Sequence, residues 1–259
     1  ERDGLRVRAA GDAGISIDLA GKTLRGKGAG HGILVVHGGS AARISGGPQR
    51  AIIEGFDHGV VAAGGDLGLL EDVDIRGVVH DGVRLRGDGL VRRCSVTRAG
   101  RDGFALSGRN FRATGNRSRN NGRHGFMLMG HGGRLAGNEA SNCGGAGFLV
   151  TGGGHTIEDC VAEYCGKNGL ELVTGAATIR SCVATGNGAS GIEGHGSGWR
   201  LAGNTATGNG EHGIKARGPG MIDEGGNSGS ENGAAASSEV VQCRIGDAPC
   251  VAPASSVAP

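Results

Sequence analysis

An all-β chain wound as a coil of short, stacked strands is the fold this sequence predicts, and three observations predict it. Gly supplies 57 of 259 residues, far above ordinary usage. A Gly followed by alternating apolar residues recurs along the chain, every 22 residues from Gly103 onward. Between these returns the residues fall into columns drawn from one small vocabulary. A fixed period of this length marks a solenoid, in which each unit buries its apolar face only against its neighbours.

The repeat is anchored at Gly14, Gly32, Gly59, Gly82, Gly103, Gly125, Gly147, Gly169, Gly191 and Gly213, with uneven spacing before Gly103. The first and third positions after the anchor are apolar: Val83 and Leu85, Phe104 and Leu106, Phe126 and Leu128, Phe148 and Val150, Leu170 and Leu172. The second position varies, from Arg84 to Met127 to Glu193. Alternation of this kind predicts a strand with one buried face. Further along stand Ala113, Leu135, Ile157, Ile179 and Leu201, then Asn116, Asn138, Cys160, Cys182 and Asn204. After these come Ser118, Ala140, Ala162, Ala184 and Ala206, then Asn121, Cys143, Cys165, Asn187 and Asn209, each of the last followed by Gly. Each unit reads as one turn of a coil with two or three strands between tight bends. Asn suits bends because it bonds local backbone and tolerates left-handed geometry. Stacked Asn side chains also bond one another. The Gly after each Asn is expected to supply a positive φ, and Phe104, Phe126 and Phe148 are expected to stack inside.

Other periodic folds do not fit. Leucine-rich repeats need an L-x-x-L-x-L-x-x-N/C run that is absent, and a hexapeptide helix needs a multiple of six. There is no Gly-X-Y period for collagen. No apolar run reaches the ~20 residues of a bilayer span, so no membrane partner is expected. A single-stranded right-handed parallel β-helix of about ten coils remains, over residues 1–235, with residues 236–259 as C-terminal cap and tail.

The opening ISIDLAGKTLRGKG at residues 15–28, the recurring HGF, NGL and SGI units and the late Cys243 and Cys250 resemble the secreted right-handed β-helix repeat proteins. These share the pectate-lyase-like fold, and the resemblance spans roughly residues 14–250. It implies the fold and a secreted or periplasmic location. Members include polysaccharide lyases, uronan epimerases, glycosidases and non-catalytic modules. Cys243 and Cys250 lie outside the repeat and are expected to form a disulfide that pins the cap. Cys94, Cys143, Cys160, Cys165 and Cys182 fall at the Asn columns, where small buried thiols can replace Asn. Cys160 over Cys182 and Cys143 over Cys165 lie near disulfide distance.

Two patches carry candidate chemistry. The first is the edge just before the anchors: Asp57-His58, His80-Asp81, Arg101-Asp102 and Arg123-His124. An enzyme that removes the C5 proton of a uronate sugar needs a cation on the carboxylate and a base beside it. Arg101 and Arg123 are candidates for the carboxylate, and His80 or His124 for the base. Asp81 and Asp102 are candidates to orient a histidine, or to hold Ca²⁺ with Asp57. Asp57 and His58 extend the edge as substrate contacts. Uronan epimerases carry an Asp-Pro-His motif, and Phe56-Asp57-His58-Gly59 departs from it by lacking the Pro. Residues 84–123 hold eleven Arg and only two acids, a belt that suits an anionic partner.

The second patch is the outward strand face at Glu171, Glu193, His195, Lys215 and Arg217. Two carboxylates one layer apart suit a glycosidase pair or a plain salt-bridge ladder. On the same face Met127, Met129 and Leu149 form an apolar patch, expected to join copies in a homo-oligomer or to lie under a covering loop. The Arg belt has no interleaved aromatics, so nucleic acid is not an expected partner. Two functions follow. One is a carbohydrate-active β-helix acting on an acidic, uronate-containing polysaccharide by β-elimination or C5-epimerisation. The other is a non-catalytic polysaccharide-binding or structural surface module.

Overall fold

The computed structural model describes residues 3–8, 14–36, 42–64, 66–173, 175–233 and 242–250. Every regular element among them is a β-strand. A coil carries three strands; in the one headed by Gly103 they are Phe104–Gly108, Arg112–Thr114 and Arg117–Arg119. Equivalent strands of successive coils pair in parallel, Phe104 with Phe126, Arg112 with Arg134 and Arg117 with Glu139. The described residues thus form three long sheets of 12, 10 and 10 strands that wall a tube.

The first sheet gains its two additional strands at the C-terminal end. Cys243–Ile245 pairs in parallel with Ile214–Arg217, and Ala248–Pro249 folds back antiparallel on it. The expected Cys243–Cys250 disulfide closes this hairpin. Residues 236–241 and 251–259 of the proposed cap and tail lie outside the described residues.

The first coil starts elsewhere than expected. Leu5–Arg8 pairs with His31–Val36 in the first sheet, so Gly4 heads that coil. Gly14 precedes Ser16–Asp18, which pairs with Arg43–Ser45 in the second sheet. Gly4-Leu5-Arg6-Val7 carries the same alternation as the later units, but the long first coils hide the period.

Inside the tube, Phe104, Phe126 and Phe148 stack with ring centroids 4.7 and 4.8 Å apart and planes within 5°. That is the spacing of neighbouring strands, so the same ring can repeat in successive layers. Phe111 and Trp199 are fully buried. Trp199 donates its indole N–H to the Gly175 carbonyl. It is a core residue and not a sugar platform.

The anchor glycines and those that follow the second Asn column act by their lack of a side chain. A Cβ on anchor Gly125 would lie 2.6 Å from the Ala140 Cβ, and one on Gly147 2.7 Å from that of Ala162. The first and third sheets converge there, and nothing larger than hydrogen fits between them. Gly144, which follows Cys143, would press its Cβ to 2.5 Å from the Gly122 carbonyl oxygen one coil below. The expectation of a positive φ at these glycines is therefore corrected. The left-handed residue comes one position before each Asn column, at Gly115, Gly137 and Asp159 in one and at Asn120, Asn142 and Tyr164 in the other.

The Asn columns answer a hydrogen-bonding need. At a bend the backbone N–H leaves its sheet ladder inside the protein, where an unmet donor is costly. Asn116 Oδ1 accepts the Cys94 N–H at 2.9 Å, and Asn138 Oδ1 accepts the Asn116 N–H at 3.0 Å. Asn138 Nδ2 in turn donates to the Ala113 carbonyl at 2.8 Å. In the second column the oxygens of Asn187, Asn209 and Asn232 take the N–H groups of Cys165, Asn187 and Asn209. Gln242 Oε1 ends that column by accepting the Asn232 N–H at 3.2 Å. The five Cys of the repeat are buried free thiols. Where Cys160 replaces Asn, its sulfur accepts from the Asn138 side-chain amide at 3.9 Å instead.

Replacing Asn138 by Ala removes the acceptor of one buried N–H and the donor to one buried carbonyl. Urea unfolding of Asn138→Ala should show a loss of about 2–5 kcal/mol. Asn138→Cys, which keeps an acceptor in a slot where Cys160 already serves, should lose clearly less.

Candidate functional site

The connection from the third sheet back to the first carries a third column of acceptors, and it is the His/Asp edge. His58 Nδ1 accepts the Asp81 N–H at 3.1 Å, and Asp81 Oδ1 accepts the Asp102 N–H at 3.3 Å. Asp102 Oδ1 accepts the His124 N–H at 3.1 Å, and His124 Nδ1 accepts the Ala146 N–H at 3.0 Å. All four side chains are buried. These members of the edge hold the bend together. The residues one position earlier, Asp57, His80, Arg101 and Arg123, are exposed or half-buried and follow each other from coil to coil.

The histidines consequently differ in chemistry. Neutral His58 and His124 accept through Nδ1, so each carries its hydrogen on Nε2 and has no lone pair to spare. Burial holds both rings below the ordinary histidine range, His124 at about 4, where Arg123 and Lys167 add to the effect. His124 is therefore not a free base, which corrects that assignment. His80 is the reverse case. Its Nδ1 lies 2.6 Å from Asp57 Oδ1, so Nδ1 donates and Nε2 keeps its lone pair, on a side chain 41% exposed. The carboxylate that orients His80 is Asp57, and not Asp81 or Asp102.

His31 completes this corner, and the sequence pattern alone does not single it out. It precedes Gly32 as His58 precedes Gly59, and the two are register partners. The rings of His31, His58 and His80 stack at 5.7 and 5.2 Å, and Asp3 lies 2.8 Å from His31 Nδ1.

Beside the corner runs a groove on the outward face of the first sheet. Arg84, Arg86, Arg101 and Arg123 line a shallow cavity of about 170 Å³ together with Asp81, Asp102 and Ser107. Arg84 and Arg86 also line the adjoining depression over His31 and His58. Met127 and Met129, expected with Leu149 as a subunit contact, wall this groove. The Arg belt as a whole does not face it. Arg92 and Arg93 pair with Glu71, and Arg117 and Arg119 with Glu139, so the belt wraps around the coil. Arg84 and Arg86 do not stand out as site residues in the sequence because their column varies; their place two and four after the anchor is the signal that marks them.

The second patch lies further along the same sheet. Glu171, Glu193 and Lys215 are register partners, as are His195 and Arg217. Glu193 accepts from the Ser190 hydroxyl and stands 4.0 Å from Lys215 Nζ, while Lys215 contacts His212. The Glu171 side chain makes no hydrogen bond or ion pair among the described residues. It opens with Glu193 and His195 onto a cavity of about 330 Å³.

Among the described residues one set of three donors comes within 4.8 Å: Asp57, His58 and His80. The set does not fit a metal ion. His58 spends its lone pair on the Asp81 N–H, and Ca²⁺ requires six to eight oxygens where this corner offers one carboxylate. Asp81 and Asp102, the other expected Ca²⁺ ligands, accept backbone donors instead.

Residues 58–209 and 147–245 match the family described as right-handed β-helix region. Among solved structures, the chain is similar to the A-module of a mannuronan C-5 epimerase from Azotobacter vinelandii. The identity is 13%, with a TM-score of 0.54 over 85% of this chain and 79% of that one. It is also similar to a periplasmic alginate epimerase, at 16% identity and a TM-score of 0.57 over 82% of this chain and 64% of that one. No curated protein sequence matches. At these identities the likeness is one of fold.

The neutral bend histidines make stability depend on pH. His155 joins His58 and His124, its Nδ1 accepting the Gly133 N–H at 3.1 Å, and burial lowers its affinity for a proton too. In the unfolded chain each titrates near 6.5. Their contribution is complete above about pH 6.5 and is lost as pH falls toward about 4, where folded His124 protonates. Asp102, whose carboxyl burial raises, works in the opposite sense. Urea midpoints should therefore drop between pH 7 and 4, roughly the span of these shifts. His124→Asn, which keeps an acceptor but cannot protonate, should drop less; an equal slope removes His124 as the source.

Proposed function

The chain belongs to the right-handed β-helix family, and on that footing we propose that it is a carbohydrate-active protein of acidic polysaccharides. The polymer lies in the groove of the first sheet, where one uronate sugar loses its C5 proton. One observation carries this reading: the Asp57–His80 pair, at 2.6 Å, stacks one coil before Arg101, which lines a groove with Arg84, Arg86 and Arg123.

His80 Nε2 is the base. Asp57 holds the ring in the tautomer that leaves Nε2 open and stabilises the imidazolium once the proton arrives. The C5 proton becomes acidic only when charge on the sugar carboxylate is met by cations, and Arg101 and Arg123 are placed to meet it, with Arg84 beside them. The resulting enolate has two fates. Loss of the C4 substituent completes β-elimination, and return of a proton to the opposite face completes C5-epimerisation. Without the Asp-Pro-His motif the base falls one coil further on, because the His58 ring is committed to the bend. Glu171, Glu193, His195, Lys215 and Arg217 extend the binding face along the sheet.

Two proteins of similar fold are named as mannuronan and alginate epimerases, which supports an acidic polysaccharide as the substrate class. The Cys243–Cys250 disulfide supports a secreted or periplasmic location. A second reading, a non-catalytic polysaccharide-binding or surface module, is favoured by the bends. From Gly103 onward they stay too short to wall a deep cleft, and the groove is shallow.

Proton NMR in heavy water with a panel of uronate polysaccharides decides between these readings. New vinyl signals mean elimination, deuterium at C5 without cleavage means epimerisation, and binding without either means the module. For an active protein, His80→Ala should cut turnover by about 10²–10⁴. Arg101→Ala should also cut it, whereas His124→Asn should retain it. Unchanged turnover in both His80→Ala and Arg101→Ala would sink the assignment.

A further inference from the structure

Four of the five free thiols form two pairs, and neither the fold nor the proposed activity needs sulfur there. Cys160 immediately precedes Val161, and Cys182 immediately precedes Val183, its register partner one coil on. Cys143 and Cys165 each lie two residues beyond Ser141 and Glu163, which are register partners as well. Neighbouring parallel strands run about 4.8 Å apart, inside the Cα range of about 4.4–6.8 Å that a disulfide spans. Each thiol takes the same posture, donating to the carbonyl two residues back: Cys143 to Ser141, Cys165 to Glu163, Cys160 to Glu158 and Cys182 to Arg180. Cys94 has no cysteine partner, since the next residue in its column is Asn116.

We propose that Cys143 with Cys165, and Cys160 with Cys182, are disulfide sites that close when the chain folds in the presence of a small-molecule disulfide oxidant. The strands that flank each pair already hold it in register. The bend ladder survives closure, since each sulfur remains in its slot. The loops 143–165 and 160–182 share residues 160–165, so the two bonds together staple three successive coils.

The chemistry is thiol–disulfide exchange. One Cys thiolate attacks a sulfur of oxidised glutathione, which forms a mixed disulfide and expels glutathione thiolate. The second Cys thiolate attacks the protein sulfur of that mixed disulfide and expels a second glutathione. The protein loses two thiol protons and two electrons for each bond, and the oxidant is reduced to two thiols. All four sulfurs are at most 2% exposed in the folded protein, so exchange takes place while the coils form. The Cys243–Cys250 disulfide draws on the same kind of oxidant.

The test is to refold the reduced full chain with a glutathione redox buffer, then denature it, alkylate the remaining thiols and map peptides by mass spectrometry. The expected result is a single alkylated residue, Cys94, with linked peptides 143–165 and 160–182. The thermal midpoint should rise by roughly 5–10 °C over protein carrying only the Cys243–Cys250 bond. Five alkylated thiols, or crossed links such as Cys143–Cys160, would overturn the proposal. If refolding aggregates, the same thiol count on protein recovered directly from an oxidising compartment decides between these outcomes.

Discussion

A buried backbone N–H that has left its sheet ladder must still find an acceptor, and this coil meets that need along three columns of bend residues. In two of them the side chain that answers belongs to the coil above; in the third it belongs to the coil below. An acceptor that must reach a donor on the next coil cannot slip by a residue. The period of 22 is held by this requirement as much as by apolar burial. The vocabulary at the bends follows. Asn has an oxygen for the N–H and a nitrogen for a carbonyl, Asp and neutral His have the acceptor alone, and Cys is a weaker substitute.

The same constraint sorts bend residues from those free for chemistry. His58, Asp81, Asp102 and His124 look like an active-site array in the sequence, yet each is bound to the next coil's backbone. One residue earlier the chain is turned outward, and Asp57, His80, Arg101 and Arg123 are free of that duty. Bend chemistry also selects tautomers. The rings of His58 and His80 stack at 5.2 Å, but one accepts through Nδ1 and the other donates through it. Only the second can take a proton from a substrate.

Most of the fold is legible in residue order. Period-two alternation after each anchor locates the first sheet, and the Phe and Asn columns locate the core and the bends. Two things are not legible. Gly125 and Gly147 are demanded by the Ala140 and Ala162 side chains across the tube, a contact between residues 15 apart that no local rule of turn chemistry contains. The roles within Asp57-His58 or His80-Asp81 also depend on which of two adjacent residues faces inward. A doublet shows its members but not their directions. The Arg belt misleads for a related reason. Successive Arg in a coil point to different faces, so a charge run of some forty residues becomes a ring, of which only part borders the groove.

The acceptor columns also bear on how such a chain changes over evolutionary time. In the two Asn columns the coils present donors and acceptors that match from one to the next. A duplication of 22 residues within the regular stretch would therefore insert with the bends of those columns satisfied. It would lengthen the outward face by one strand spacing, about 4.8 Å, and leave both ends untouched. Loss of a single residue would instead break all three columns at once. A gene for this protein can lengthen or shorten in whole coils far more readily than it can drift by one codon, so the length of its binding face is a quantity that selection can adjust in discrete steps.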